Sequence, residues 1–421
     1  MNKETLAIHS GYDKDSQGTM AVPIYQTTAY QFKDVEQAGN RFALKELGNI
    51  YTRLNNPTTD VFEKRLASLE GGAGALATAS GMSAITYSFM NIAEAGDNII
   101  ASSKLYGGSV TLLTHTLKRF GIEARFFDVE NPSSIENLID ENTKGIFFES
   151  LSNPSIDIAD IEAITKIANR DNIITIVDNT VPTPILCNPI EFGVDVVVHS
   201  ASKYIGGQGL AIGGAIVERE NLVEKIKGNS RYPQFNEPDK SYHGLVYVDI
   251  PLPLFTLRAR LLFLRDMGAA LAPFNSWLFI QGLETLSLRI KQHSSSALEV
   301  AKYLENHPKV KKVNYPTLDS SKNRVLAEKY LNKGASGLLS FELENLEDAT
   351  KVANGVEIFS LVVNIGDSKS IITHPASTTH MQLSDEEMLQ AGISKGLVRL
   401  SVGLESTEDL IADLDKALEL I

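Results

Sequence analysis

The chain has 421 residues, of which 43% are apolar and 22% are charged, a composition typical of a globular protein with a large core. Its formal net charge of −13 repels phosphate backbones and anionic lipid, so nucleic acids and membrane surfaces are excluded as general partners. The single cysteine, Cys187, excludes an internal disulfide framework, and no Cys/His spacing predicts a metal site.

No targeting or membrane-spanning segment is predicted. Residues 1–15 lack the basic start and apolar run of a secretory signal. The most apolar long segment, residues 245–264, is interrupted by charged residues and prolines, whereas a membrane span needs about 20 residues with few or no charges. Together with the single thiol, these features predict a cytoplasmic location.

The first 57 residues show no sustained periodicity and are predicted to form an extended arm with a short helix near residues 34–47. From Thr58 the pattern is helical, with capping residues at its start and Gly71-Gly72 at its end. Strands and helices then alternate. Helices are predicted at 82–93, 109–120 and 158–169, and strands at 98–102, 123–127, 145–148, 173–177 and 194–198. This alternation predicts an α/β fold with a mostly parallel sheet and right-handed crossovers.

The second half of the chain has a different pattern. Residues 227–260 are rich in proline, tyrosine and charge and are predicted to be an insertion or loop. The remaining elements are a long amphipathic helix at 274–305, shorter strands at 337–343, 359–363 and 397–402, and a final helix from Thr407. We therefore predict an arm (1–57), a larger α/β domain (58–269) and a smaller C-terminal α/β domain (270–421).

Polar side chains follow several of the predicted strands, at the edge where open α/β sheets bind ligands. Asn153, Asp178 and Lys203 are in such positions. A lysine amine forms a Schiff base with an aldehyde cofactor. A carboxylate keeps a pyridine nitrogen protonated through a charge-assisted hydrogen bond, which makes the ring a better electron sink.

Two further features predict a phosphate site. Ser200 and Ser202 precede Lys203 and supply hydroxyl groups. The segment Ala79-Ser80-Gly81-Met82-Ser83 begins a predicted helix, and the free N–H groups of a helix N-terminus bind anions. The combination of amine, carboxylate and phosphate site points to pyridoxal phosphate as the cofactor.

Each feature taken alone has a plainer interpretation. Asp178 alone is more simply a turn residue, Lys203 alone a solvated loop lysine, and Ser80-Gly81 only the start of a helix. Tyr51 and Arg53 are either surface residues or a phosphate clamp. The prediction depends on their joint occurrence in this chain order.

Other motifs are rejected. The glycines at 71–74 follow a predicted helix and lack the third spaced glycine of a dinucleotide-binding loop. No Gly-x-Ser-x-Gly elbow and no Walker-type motif is present. His374 and His380 share a loop without metal-ligand spacing and are interpreted as structural.

A set of short motifs extends over nearly the whole chain. They are residues 51–58 (YTRLNNPT), 80–82 (SGM), 105–108 (LYGG), 152–154 (SNP), 177–180 (VDNT), 200–204 (SASKY) and 399–405 (RLSVGLE). Together they resemble the cysteine/methionine-metabolism family of pyridoxal-phosphate enzymes. The resemblance implies an aspartate-aminotransferase-like (fold-type I) architecture and a homotetramer of two active dimers.

The resemblance also implies roles for the matching residues. Lys203 would bond covalently to the cofactor and act as the catalytic base, Asp178 would pair with the pyridinium nitrogen, and Tyr106 would stack on the ring and take part in proton transfer. The phosphate would be held by Gly81, Met82, Ser200, Ser202, and by Tyr51 and Arg53 of the neighbouring subunit.

On the substrate side, the resemblance implies that Arg399 clamps the α-carboxylate, a bidentate task suited to guanidinium. Asn153 would lie near both this carboxylate and the phenolic oxygen of the cofactor. Asn364 is a further substrate-binding candidate, and it stands where lyases and cystathionine synthases of the family usually have serine.

Within the family, residues 364–383, 232–238 and 242–245 resemble the branch that sulfhydrylates O-acetylhomoserine. Gly108 stands where methionine γ-lyases typically have cysteine. The implied reaction is γ-replacement, in which O-acetyl-L-homoserine and sulfide give L-homocysteine and acetate, with free sulfide or a carrier-protein thiocarboxylate as the sulfur donor.

Several alternatives stay open. The nearest are cystathionine γ-synthase, O-succinylhomoserine sulfhydrylase and methionine γ-lyase activity on the same scaffold. An unrelated oxidoreductase is disfavoured by the missing dinucleotide motif. A catalytically inactive binding protein is disfavoured by the intact Lys203, Asp178 and Arg399.

Overall fold

The computed structural model describes residues 1–379, 381, 388 and 392–421. His380 and part of the motif at 364–383 lie outside the described residues. Among the described residues, the strands form a seven-stranded and a five-stranded sheet. The predicted α/β fold, with a large mostly parallel sheet and a smaller second sheet, is confirmed.

The larger sheet occupies the first half of the chain. Its strands are β1 (Gly72–Thr78), β2 (Asn98–Ser102), β3 (Glu123–Phe127), β4 (Thr143–Glu149), β5 (Ile174–Asp178), β6 (Val196–Ser200) and β7 (Gly214–Arg219). Their order across the sheet is β1-β7-β6-β5-β4-β2-β3. β7 runs antiparallel to β1 and β6, and the other neighbouring pairs are parallel. Residues 174–177 and 196–199 are all buried, as expected for central strands covered on both faces.

The smaller sheet is built by the second half of the chain. Its strands are β8 (Lys312–Asn314), β9 (Leu338–Glu342), β10 (Ser360–Leu361), β11 (Ile371–Thr373) and β12 (Leu397–Ser401). Their order is β10-β11-β12-β9-β8, and only the β10–β11 pair among these is parallel. The central strand β12 is completely buried.

Helices pack against both sheets. The α-helices are α1 (Lys3–His9), α2 (Val35–Phe42), α3 (Pro57–Glu70), α4 (Gly81–Ile92), α5 (Gly107–Thr111), α6 (Ile161–Arg170), α7 (Thr183–Leu186), α8 (Leu222–Ile226), α9 (Pro233–Asn236), α10 (Leu254–Ala259), α11 (Arg265–Met267), α12 (Pro273–Glu305), α13 (Arg324–Tyr330), α14 (Leu346–Gly355) and α15 (Thr407–Glu419). Short π-helical turns lie at Leu112–Thr116 and Arg260–Leu264, and 3-10 turns at Leu117–Phe120, Pro132–Leu138, Pro189–Phe192, Lys240–Tyr242, Tyr247–Asp249 and Pro375–Ser377. No helix in the described part of the chain is long and apolar enough to cross a membrane.

The 33-residue helix α12 joins the two halves of the molecule. It begins at Pro273, where the missing N–H and fixed φ of proline suit the first helical turn. Phe279 and Leu283 lie on its buried side, and the ring of Phe279 packs 5.5 Å from that of Phe62 on α3. Further along, α12 contacts β8 and β9 of the smaller sheet. The helix predicted for this region is confirmed.

The structure also contains elements that the sequence pattern does not predict. β1 has the sequence GAGALAT, whose residue types have little intrinsic strand preference, and it forms by pairing with β7 along its length. The arm begins with α1, a helix absent from the prediction. The helix predicted at 109–120 is regular only in α5 and continues as π and 3-10 turns to Gly121.

Candidate active site

The carboxyl ends of β4, β5 and β6 lie side by side and open into a cavity of about 270 Å³. Parallel strands end at the same edge of a sheet, and their diverging loops leave room there for a ligand. The cavity is lined by the predicted site residues Gly81, Met82, Tyr106, Asn153, Asp178, Ser200, Ser202, Lys203, Asn364 and Arg399. Residues from both sheets therefore meet in one place.

Lys203 lies in the turn that follows β6. Its amine donates a hydrogen bond to Oδ1 of Asn364, 2.6 Å away. Burial and, secondly, the positive charge of Arg399 lower the pKa of the amine. A lowered pKa increases the neutral fraction of a lysine amine, which is the form that acts as a nucleophile or base.

Arg399 reaches the cavity from β12 and is only 4% exposed. Its Nη1 donates to Oδ1 of Asn153 at 3.0 Å, and its Nη2 donates to the main-chain oxygen of Asn364 at 2.9 Å and to Oγ1 of Thr373 at 3.1 Å. Its Nε has no hydrogen-bond partner among the described residues. Burial lowers the pKa of Arg399 to about 10, so the side chain is cationic at neutral pH. A buried cation bonded to uncharged groups is a strong site for a carboxylate.

Asp178 and Glu149 are neighbouring carboxyl groups at the ends of β5 and β4. Asp178 accepts a hydrogen bond from the main-chain N–H of Thr180 at 2.9 Å. Burial raises the pKa of both carboxyls, and the charge of Asp178 raises that of Glu149 further. A cation next to Asp178, such as a protonated pyridine nitrogen, would stabilise its ionised form.

The N-terminus of α4 lies against the end of β6. The hydroxyl of Ser80 accepts a hydrogen bond from the main-chain N–H of Ser83 at 3.1 Å and caps the helix. A Cβ atom on Gly81 would lie 2.7 Å from Cβ of Ser200, so only glycine fits at this contact. The free N–H groups of the first helical turn and the nearby serine hydroxyl form an anion site.

Tyr106 and the pair formed by Tyr51 and Arg53 differ in their relation to the cavity. Tyr106 lines it and is 44% exposed, so one face of its ring is accessible. Tyr51 and Arg53 do not line it. They contact each other in the arm, with the Arg53 guanidinium 5.4 Å from the centre of the Tyr51 ring. Within one chain, the structure does not bring this pair to the other predicted site residues.

Two polar residues of the site, Glu149 and Thr180, are not among the predicted site residues. Glu149 accepts hydrogen bonds from the main-chain N–H groups of Tyr106 and Asn153, at 2.6 and 3.2 Å. Thr180 accepts one from the main-chain N–H of Ser200 at 2.8 Å. Both follow predicted strands as Asp178 does, which is the sequence signal that marks them.

The cavity fits pyridoxal phosphate. Lys203 presents an amine for the aldehyde, Asp178 a buried carboxyl for the pyridine nitrogen, and the α4 N-terminus an anion site for the phosphate. The close contact of Gly81 with Ser200 leaves this anion site free of any side chain from the first helical position.

Two relatives are similar to the chain over nearly its full length. It is 47% identical to the O-acetyl-L-homoserine sulfhydrylase of Leptospira meyeri, over 99% of this chain and 96% of that protein. It is 45% identical to the homocysteine synthase of Schizosaccharomyces pombe, over 99% of this chain and 98% of that protein.

A solved structure and a family model agree with this similarity. The crystal structure of a Campylobacter jejuni protein assigned as an O-acetylhomoserine (thiol)-lyase contains a pyridoxyl-lysine monophosphate. It matches this chain with a TM-score of 0.98 and 56% identity over all of both chains. This likeness confirms the fold-type I architecture. Residues 4–419 match the family model for Cys/Met metabolism PLP-dependent enzymes. A match of this extent, to a family whose cofactor the cavity also fits, shows that the chain belongs to the Cys/Met metabolism PLP-dependent enzymes.

Proposed function

We propose that this enzyme converts O-acetyl-L-homoserine and sulfide to L-homocysteine and acetate by γ-replacement. One observation carries the proposal. The amine of Lys203 and the guanidinium of Arg399 both bond to Asn364, one to its side chain and the other to its main chain. An amino acid whose carboxylate binds Arg399 therefore has its α-carbon close to the lysine. The names of the relatives, a sulfhydrylase and a homocysteine synthase, support the choice of substrate and product.

Lys203 is the proposed base. Pyridoxal phosphate, when bound, supplies an electron sink that stores the charge left when a proton leaves the α-carbon of the substrate. Lys203 takes that proton with its neutral amine. A second proton then leaves the β-carbon, so that acetate can leave the γ-carbon and sulfide can take its place, and both protons are returned at the end of the reaction. Asn364 accepts a hydrogen bond from the amine and so orients its lone pair.

Asp178 and Tyr106 are the proposed partners of the cofactor ring. The carboxylate of Asp178 holds the proton on the pyridine nitrogen through a charge-assisted hydrogen bond. The half-exposed ring of Tyr106 would stack on the cofactor, and its hydroxyl would be a second acid or base. Gly81, Met82, Ser200 and Ser202 line the cavity beside the N-terminus of α4 and would hold the phosphate.

Arg399 and Asn153 are proposed to hold the substrate carboxylate. Nε of the guanidinium is buried and has no hydrogen-bond partner within the described part of the chain, and planar guanidinium donors match the two oxygens of a carboxylate. Asn153 accepts a hydrogen bond from Nη1 and so fixes the orientation of the guanidinium. Binding at this point orients the substrate for proton transfer to Lys203.

The proposal includes a homotetramer of two active dimers. The tetramer follows from the family resemblance. The active dimer is supported by the position of Tyr51 and Arg53, which lie on the arm outside the cavity of their own chain and match residues that, in the family, bind the phosphate of a neighbouring subunit. The sulfur donor is free sulfide or a carrier-protein thiocarboxylate. The proposal also includes the division of the chain into an arm and two domains. It further includes a cytoplasmic location, with which the single buried free cysteine, Cys187, is consistent.

A product assay with and without sulfide tests the function. The holoenzyme is expected to form homocysteine from O-acetyl-L-homoserine only when sulfide is present, and Lys203→Ala is expected to abolish turnover because the base is lost. Release of an α-keto acid and ammonia without sulfide would instead assign γ-elimination. Faster turnover of O-succinyl-L-homoserine, or of cysteine in place of sulfide, would assign one of the related synthases. A fully active Lys203→Ala variant would contradict the proposed base.

A further inference from the structure

Glu149 is a buried carboxyl in the cavity wall that the mechanism above does not use. It is the last residue of β4, it is 6% exposed, and its partner in register on β5 is Asp178. Burying a carboxyl group is unfavourable unless its hydrogen bonds are satisfied. The contacts of this group therefore indicate what it contributes.

Both oxygens of Glu149 accept hydrogen bonds from main-chain N–H groups. Oε1 accepts from Tyr106 at 2.6 Å, and Oε2 accepts from Asn153 at 3.2 Å. Tyr106 lies in the loop after β2, whereas Asn153 lies in the loop after β4. A single carboxyl thus ties two separate loops to the edge of the sheet. Because a residue's N–H adjoins its Cα, each bond fixes the point from which the side chain extends into the cavity.

Asn153 in turn contacts Arg399, the proposed binding group for the substrate carboxylate. Oδ1 of Asn153 accepts from Nη1 of Arg399 at 3.0 Å. A line of hydrogen bonds therefore runs from the Tyr106 main chain through Glu149 and Asn153 to the guanidinium. A shift of the loop that contains Asn153 would change the orientation of the Arg399 guanidinium.

The ionisation of Glu149 is compatible with this arrangement. Burial, and then the charge of Asp178 on the adjacent strand, raise the pKa of Glu149 well above its ordinary value. A protonated carboxyl still has a lone pair on each oxygen, so it can accept from both N–H groups. Asp178 can then remain the ionised member of the pair, as its proposed role requires.

We propose that Glu149 is a positioning residue that sets, through the main chain, the ring of Tyr106 and the amide of Asn153, and through Asn153 the direction of Arg399. The proposal rests on the function given above, in which Tyr106 stacks on the cofactor and Arg399 binds the substrate. A merely structural carboxyl would stabilise the fold but would leave the geometry of bound cofactor and substrate unchanged.

The variant Glu149→Gln tests this role. It keeps the size of the side chain and its neutral form, but it places an NH₂ donor against one of the two N–H groups. Glu149→Asp is the second variant, which keeps the carboxyl but is too short to reach both loops. Glu218→Gln is the matched control, because Glu218 is also buried at a strand end and accepts from the main-chain N–H of Thr256 but lies outside the cavity.

The holoenzymes are compared by the visible circular dichroism of the bound cofactor, by its dissociation constant, and by kcat and KM. In both Glu149 variants we expect an altered cofactor dichroism, and we expect KM for O-acetyl-L-homoserine to rise about tenfold, the effect of one lost hydrogen bond to a charged or buried group. The Glu218 control is expected to lose thermal stability only.

Other outcomes overturn the proposal. Wild-type dichroism, cofactor affinity and KM in both Glu149 variants would show that the two loops are placed without this carboxyl. A loss of folding in both, or a loss of thermal stability alone as in the control, would assign Glu149 a structural role. If the wild-type enzyme forms no homocysteine, the proposed function is wrong. The role of Glu149 is then still decided by the dichroism and the dissociation constant of the cofactor.

Discussion

Arg399 is a cation buried against uncharged groups. Its described hydrogen bonds go to two carbonyl oxygens and one hydroxyl, from Asn153, Asn364 and Thr373. Burial disfavours the charged form of any base, yet a guanidinium keeps its proton at neutral pH because its ordinary pKa is so high. A lysine at this depth would lose more of its charge, so arginine is the residue type that the position requires.

The variant Arg399→Lys is expected to lower kcat/KM for O-acetyl-L-homoserine roughly 10- to 100-fold, mainly through KM, because the bidentate fork and its charge-assisted hydrogen bonds are lost. Steady-state kinetics of the holoenzyme measure this effect. Arg170→Lys is the control, since the side chain of Arg170 on α6 is 57% exposed and does not line the cavity. Equal KM values for Arg399→Lys and the control would remove Arg399 from the substrate site.

At the scale of one element, the position of the α4 N-terminus depends on a single glycine. Ser80 caps the helix, and Gly81 follows it at the first helical position, where its Cα is packed against Ser200 at the end of β6. The close approach brings the N–H groups of the first turn to the same edge as the Lys203 turn. Any side chain at position 81 would separate the helix from the strand.

The variant Gly81→Ala is expected to weaken cofactor binding about tenfold, because the new Cβ would overlap Ser200 and displace the anion site. Titration of the apoprotein with pyridoxal phosphate measures the dissociation constant. Gly39→Ala is the matched control, since Gly39 lies inside α2 with nothing within 4 Å of the added Cβ, and alanine there is expected to stabilise the helix slightly. Unchanged cofactor affinity in Gly81→Ala would contradict the proposed phosphate site at the N-terminus of α4.

The complete molecule assembles the cavity from distant parts of the chain. β4, β5 and β6 of the larger sheet form one side, and Asn364 and Arg399 reach it from the smaller half. Tyr51 and Arg53 lie on the arm and stay outside the cavity of their own chain. If these two residues complete the site of a neighbour, each active site needs two subunits.

Complementation between two inactive variants tests the shared site. Lys203→Ala and Arg53→Ala are each expected to be inactive or nearly so, whereas their co-refolded mixture should regain activity. A hybrid dimer has one site with both an intact lysine and an intact arginine, and random pairing makes half of the dimers hybrids, so about a quarter of wild-type activity is expected. A mixture no more active than its components would contradict the shared site.

Local patterns were enough to predict a large part of the site. The buried runs that form β5 and β6 are visible in the sequence, and so are the polar residues that follow them, including Asp178 and Lys203. Glu149 follows a predicted strand in the same way, but its role depends on main-chain N–H groups of two loops. A pattern of side chains along the chain contains no information about such contacts.

The sequence by itself determined the α/β class, the long helix α12 and the residues with the chemistry of pyridoxal phosphate, because hydrophobic periodicity, capping residues and residue type are local properties. Tertiary structure alone decided that the glycine- and alanine-rich segment of β1 is a strand, since pairing with β7 outweighs its weak preference. It also decided that Lys203 meets Asn364, 161 positions away, and that Arg399 meets Asn153, 246 positions away. Contacts over such separations depend on how the two sheets pack, which no local pattern specifies.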